Sequence, residues 1–167
     1  MGISSRTTSA GMTSDKTLCA PIEGYAAIFN TPDETGDSIA PTAFDDFFSG
    51  IVIPAAEPRV SMLYQHKVDC PIGCWNAFRA DKKGLFVRGV LLLGSSKAKD
   101  VLALVKGGAL NGLSIGFRAQ SFTRRADGGR HILKAQLWEV SIVTFPMASQ
   151  ARISSIGGAT TDRSSAA

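Results

Sequence analysis

Two pairs of period-two apolar segments, each joined by a short turn rich in Asp and Gly, limit the folds open to this chain. Residues 72–79 and 85–93 flank Asp81-Lys82-Lys83-Gly84, and residues 113–122 and 131–137 flank Asp127-Gly128-Gly129. Alternation sends successive side chains to opposite faces, and Asp and Gly suit tight reversals, so both pairs read as hairpins. Two more segments read as strands. Residues 25–29 end at Asn30-Thr31-Pro32-Asp33, and residues 59–66 put Val60, Met62, Tyr64 and His66 on one face. Residues 137–145 read as a buried strand stopped by Pro146. Residues 41–48 read as a short helix with Thr42 as N-cap and Asp45 three later. Ala98, Val101, Leu102 and Val105 follow helical spacing up to Gly107-Gly108. Together these predict a β-rich α+β fold, a small antiparallel, partly closed β-barrel with two or more flanking helices.

At 167 residues the chain has room for one domain. Residues 1–18 and 154–167 are small and polar without periodicity, which predicts flexible tails around a folded unit at residues 19–153. Nothing near Met1 resembles the apolar core of a secretory leader, and no apolar run approaches the roughly 20 residues of a membrane span. With that, the three cysteines read as reduced thiols in a cytosolic setting. The net charge of +4 is scattered, densest at Lys97/Lys99 and Arg124/Arg125. Nucleic-acid binders concentrate charge in a stripe or patch, so no specific nucleic-acid partner is expected.

Few residues are equipped for chemistry. His66, one of two histidines, closes an apolar strand, where it is either structural or a general base. In Gly112-Leu113-Ser114-Ile115-Gly116 the serine shares a strand face with two glycines, so another backbone can approach it closely. A glycine-softened strand end with an incidental serine is the plain alternative. The same five residues match the nucleophile elbow G-x-S-x-G, yet an elbow runs from strand through turn to helix. Here a helix precedes and a strand follows. Glu139 interrupts an apolar stretch, and a buried carboxylate needs a polar or cationic partner, a histidine among them. An edge strand with Glu139 facing water is equally open. His66, Cys70 and Cys74 give H-x3-C-x3-C, short of the four ligands of a structural zinc site, so no metal is expected. Neither cysteine has a setting that would activate its thiol.

Taken in order, six pieces resemble the prohead maturation protease family of tailed phages with the HK97-type capsid, found also in prophages and gene transfer agents. They are Gly24-Tyr25-Ala26-Ala27-Ile28-Phe29, Gly36-Asp37-Ser38-Ile39-Ala40-Pro41-Thr42-Ala43-Phe44, Leu63-Tyr64-Gln65-His66, Gly84-Leu85-Phe86-Val87-Arg88-Gly89, Leu113-Ser114-Ile115-Gly116-Phe117 and Glu139-Val140-Ser141-Ile142-Val143-Thr144-Phe145-Pro146. Thr42 stands where the family usually has glycine, and Met147-Ala148 replaces the common Ala-Asn. The resemblance implies a fold like that of the herpesvirus assembly proteases and a serine endopeptidase without cofactor. It implies Ser114 as nucleophile, His66 as general base and Glu139 as third member, a place held by a second histidine in the herpesvirus enzymes. Backbone N–H groups near Ser114, Arg118 or Arg152 are the candidates for the oxyanion site. The implied partners are the major capsid protein, through its scaffolding segment, and the chain itself by self-cleavage, inside the immature procapsid in the bacterial cytoplasm. A homo-oligomer is left open. Two other classes remain: an inactive scaffold-type capsid component, and a small esterase using Ser114 with His131.

Overall fold

The computed structural model describes residues 17–45 and 60–161. Turn chemistry sets its two long hairpins. The Asp81 carboxylate accepts the N–H groups of Lys83 at 2.9 Å and Gly84 at 3.2 Å, closing the reversal between β4 (Lys67–Ala80) and β5 (Gly84–Leu92). On β5, Leu85, Val87 and Leu91 are buried while Arg88 faces water, the alternation that the sequence requires. In the second hairpin, Asp127 grips Arg125 and accepts the N–H of Gly129, and Gly128 takes a φ of +92°. This reversal joins β6 (Gly112–Arg124) to β7 (Arg130–Val143), paired from Gly112 opposite Val143 to Arg124 opposite Arg130. The segments read separately on either side of Leu137 are thus one strand of 14 residues.

β1 (Leu18–Ile28) runs antiparallel to the outer edge of β5, and β3 (Ser61–Tyr64) runs antiparallel to β4. One helix, α1 (Ser96–Lys106), follows β5; the Ser95 side chain caps it by accepting from Ala98 N, and Ala98 and Val101 are its buried residues. The core is mainly apolar, with Ile22, Phe44, Met62, Leu113, Ile132 and Val140 almost wholly buried. No helix among the described residues is long and apolar enough to cross a membrane.

The architecture corrects the expectation in four ways. First, the sheet is mixed. β2 (Ser38–Ile39) and β3 both run parallel to β7, β2 beside His131 and Ile132 and β3 beside residues 139–142. Since β6 covers the other edge of β7, this long strand is interior at Glu139. Second, the sheet is open, in the order β2-β7-β3-β4-β5-β1-β8 with β6 on β7. Between β6 and β8 (Ile153–Ile156) the ladder reduces to a bridge from Gly112 to Arg152, while β8 pairs with β1. The partly closed barrel is therefore not formed. Third, α1 is the one complete helix among the described residues. Residues 41–44 are a turn, with Ala43 N bonded to Ala40 O and Asp45 N to Thr42 O. Residues 46–48 of the second expected helix lie outside the described residues. Fourth, the expected loose C-terminal segment is paired as far as residue 161: β8 and β9 (Thr160–Thr161) both lie along β1, and Gly157 N bonds Pro21 O at 2.8 Å.

Candidate active site

His66 does not end a strand. β3 stops at Tyr64, which pairs with Lys67, so Gln65 and His66 are the two central residues of a tight hairpin. Their φ angles of 54° and 58° are left-handed, the signature of a type I′ turn, which ordinarily calls for Gly or Asn. Non-glycine residues held there store on the order of 1–3 kcal/mol each and persist only where the surroundings over-determine them. They do so here. The Gln65 amide clasps Thr144, donating to its Oγ1 at 2.7 Å and accepting its N–H at 3.2 Å, while Gln65 N donates to Ile142 O. His66 N donates to Ser141 Oγ at 3.1 Å. The turn is strapped to the end of β7, and the imidazole leaves the Val60/Met62/Tyr64 face.

Glu139 has the partner that burial demands. Its side chain is 13% exposed on an interior strand, and Oε1 accepts a hydrogen bond from His66 Nδ1 at 2.6 Å. An edge strand facing water is excluded. The second oxygen, Oε2, accepts from Ser141 Oγ at 2.6 Å. With Nδ1 engaged by a carboxylate, the imidazole carries its proton there and leaves Nε2 as the free acceptor.

Ser114 lies on β6 directly opposite Ser141, and Gly116 lies opposite Glu139. Paired residues share a face, with Cβ atoms about 4.5–5.5 Å apart, so Ser114 adjoins the Ser141–Glu139–His66 network. Its Oγ makes no side-chain hydrogen bond among the described residues, to His66 or any other. Gly116 has a definite job. A Cβ there would stand 2.8 Å from Glu139 Cγ and 2.9 Å from Cδ, so the missing side chain makes room for the glutamate. At Gly116 the close approach over this face is that of a side chain, whereas at Gly112 it is the expected backbone, the carbonyl oxygen of Val143 standing 2.6 Å from where a Cβ would be.

Along the other edge of β6, Ser114 also lines a cavity of about 360 Å³. Its apolar wall includes Ala26, Ile39 and Phe117, its polar end is Asp37 and Arg130, and Met147 and Ala148 border it. His66 and Glu139 stand outside it, while Ser114 and Gly116 both line it and both adjoin the network on β7. Arg130 hydrogen bonds hold the Asp37 carboxyl below the usual aspartate range against the opposing effect of burial.

The remaining candidates disperse. His131 faces Ser38 Oγ at 2.8 Å, and Arg125 also donates to that hydroxyl. It is ten positions from Ser141 along β7, about 30 Å at strand rise, which excludes it as a base for Ser114. Of the carboxylates that could replace Glu139 as third member, Asp37 belongs to Arg130, and Asp69 is exposed on β4. Arg152 is engaged by Asn111 Oδ1 and Ser149 O. Cys19, Cys70 and Cys74 are free thiols, and no group of three potential metal ligands occurs among the described residues. Sequence reasoning overlooked Ser141, Gln65 and Thr144. For Ser141 a signal was present, since period two puts it on the face of Glu139.

Comparison with known proteins follows the same outline. The family model of the caudovirus prohead serine protease matches residues 7–164. The prohead protease of Enterobacteria phage HK97 is 37% identical over 137 residues, 80% of this chain and 59% of that protein. A capsid polyprotein of Pseudomonas phage PAJU2 is 32% identical over 128 residues, 71% of this chain and 19% of that one. The chain thus spans under two thirds of the length of these relatives. Among solved structures, the Kaposi's sarcoma herpesvirus (KSHV) protease with a hexapeptide phosphonate inhibitor superposes with a TM-score of 0.57 at 13% identity, covering 84% of this chain and 65% of that one. The same virus's protease with an allosteric inhibitor gives 0.52 at 10% identity, covering 83% and 77%. At such identities the likeness is one of fold.

Proposed function

The chain belongs to the caudovirus prohead serine protease family, and we propose that it is a serine endopeptidase that removes the scaffolding segment of the major capsid protein, and cleaves itself, during procapsid maturation. The observation that carries this reading is the contact of His66 Nδ1 with Glu139 Oε1 at 2.6 Å, which leaves Nε2 free, with Ser114 two ladder positions away on the strand paired with that of Glu139. A base needs that tautomer, and a buried carboxylate stabilises the imidazolium that forms when the base is used.

In this mechanism Ser114 Oγ attacks the scissile carbonyl carbon as its proton passes to His66 Nε2. Collapse of the tetrahedral adduct breaks the C–N bond, and His66 returns the proton to the leaving amine. Water then attacks the acyl ester by the same route, and Ser114 regains its proton. Glu139 holds the ring throughout and does not itself take the proton. Backbone N–H groups around Ser114, or Arg118, supply the oxyanion donors, since Arg152 is already engaged. The cavity beside Ser114 falls within the roughly 300–1,000 Å³ of small-molecule sites and is suited to a mainly apolar substrate side chain. The reaction takes place inside the immature procapsid, in the bacterial cytoplasm.

Co-expression with the cognate major capsid protein, followed by intact mass of both products, tests the reading. Wild type is expected to yield a shortened capsid protein, and Ser114→Ala a full-length one. Full-length capsid protein with wild type would leave an inactive scaffold-type component as the better reading.

A further inference from the structure

Resting on that reading, we propose that Ser141 is a positioning residue that locks the base and the acid of the site into one register. Its hydroxyl is wholly buried and uses both of its capacities on the catalytic pair. It donates to Glu139 Oε2 at 2.6 Å and accepts the backbone N–H of His66 at 3.1 Å. Each bond removes a different freedom. Glu139 can rotate about its terminal torsion, which is broad for a carboxylate, and pinning Oε2 fixes Oε1 toward Nδ1. His66 sits at a φ of 58° in a turn without glycine, and its N–H would otherwise lack this partner. One hydroxyl therefore sets the carboxylate plane and anchors the strained turn that carries the imidazole.

β7 makes this possible by sequence spacing alone. Residues two apart share a face, so Glu139 and Ser141 both reach the turn, and β3 runs parallel beside them with Leu63 opposite Ser141. Ser114 stands across the ladder from Ser141, within one side-chain pair of the pinned group. Ser141 is not a second nucleophile, because its proton is committed to Glu139 and it is closed to solvent.

The test uses the full chain and a fluorophosphonate probe. Ser114 Oγ attacks phosphorus, fluoride leaves, and the serine proton passes to His66, so the labelling rate reports activation of the serine. In parallel, proton NMR follows the far-downfield resonance expected for Nδ1–H on Glu139, assigned by its loss in Glu139→Gln. Ser141→Ala is expected to label about 10- to 100-fold more slowly, the scale of a misplacement near 1 Å, and to shift or broaden that resonance. Ser141→Cys keeps the shape but donates weakly; it is expected to behave likewise and serves alone if the alanine variant does not fold. Wild-type labelling rates in these variants overturn the proposal. So does slower labelling with an unchanged resonance, which would mean lost packing only. If wild type itself is not labelled at Ser114, the protease reading fails, and the positioning role fails with it.

Discussion

Glu139 owes its place to two neighbours with almost nothing in common, a histidine that needs its charge and a glycine that leaves room for it. Glu139→Gln keeps the shape but replaces an acceptor with an amide whose N–H₂ must face either His66 Nδ1–H or the Ser141 hydroxyl. It also removes the charge that, in the proposed mechanism, stabilises imidazolium. In trypsin-like enzymes the comparable change lowers turnover about 10⁴-fold, and here a loss of roughly 10²–10⁴ is expected in single-turnover acylation. An unchanged rate with an unchanged melt would reduce the site to a Ser114–His66 dyad. Gly116→Ala probes the same contact from the other side. The added methyl meets Glu139 Cγ and Cδ, atoms of a flexible side chain, so the fold accommodates it while the carboxylate is pushed off His66. Labelling of Ser114 is expected to slow at least about tenfold with a stability loss of about 1–3 kcal/mol, the usual cost of adding a methyl to a packed site. Glu139 was legible in the sequence because a charge inside an apolar run contradicts its surroundings. Ser141 contradicts nothing. A small hydroxyl suits a buried strand or an exposed one, so period two sets it beside Glu139 but its role appears only once the turn is laid against it.

At the scale of elements, what could be read was what is local. Asp81 and Asp127 announce their hairpins because a carboxylate beside free N–H groups specifies a turn within a few residues. The Gln65–His66 turn gave no such notice, since its left-handed geometry is imposed by Thr144 and Ser141 from some 75 residues away. Parallel pairing of β2 and β3 with β7 was equally hidden, being a long-range choice with no turn to mark it. The short β2 is fastened by Asp37, just ahead of it, whose nearly buried carboxylate is bound by the Arg130 side chain and backbone N–H at the start of β7. This pair gives a pH prediction of definite sign. The folded state holds Asp37 below the usual aspartate range, so its contribution is complete above about pH 4 and disappears as pH falls through the depressed value. Asp37→Asn is expected to lower stability at neutral pH by on the order of 1–3 kcal/mol, less than a fully buried pair because Arg130 is 41% exposed. Melting curves from pH 7 to pH 2 should then fall less steeply for the variant than for wild type. Parallel curves would show that the pair contributes nothing at equilibrium.

Over the whole molecule, the reach of the sheet depends on a segment whose composition argued for looseness. Serine and glycine dominate residues 154–161, yet β8 is fixed by two isoleucines, Ile153 and Ile156, that pack against the core from the outer edge of β1. Composition averages over such a segment and misses Ile156, three residues beyond the Ile153 that closes the expected folded unit. β1 is thereby interior, with β5 on one side and β8 and β9 on the other, and it keeps no long free edge for another chain to pair with. β1 also forms a wall of the cavity beside Ser114 through Ala26, Ala27 and Ile28. Losing its outer partners should therefore be felt at the site as well as in stability. A chain ending at Ile153 gives up Ile156, the Gly157–Pro21 hydrogen bond and the pairing of β9, whereas one ending at Thr161 keeps all three. Partial burial of one isoleucine and a few edge hydrogen bonds amount to roughly 2 kcal/mol. For a domain of this size that is about 4–8 °C in Tm. The shorter chain is expected to melt lower by that amount and to label more slowly at Ser114 with a fluorophosphonate, while the chain ending at Thr161 matches wild type in both. Equal melting of the two truncations would mean that β8 and β9 merely lie on the sheet, and that β1 holds the wall of the cavity through β5 alone.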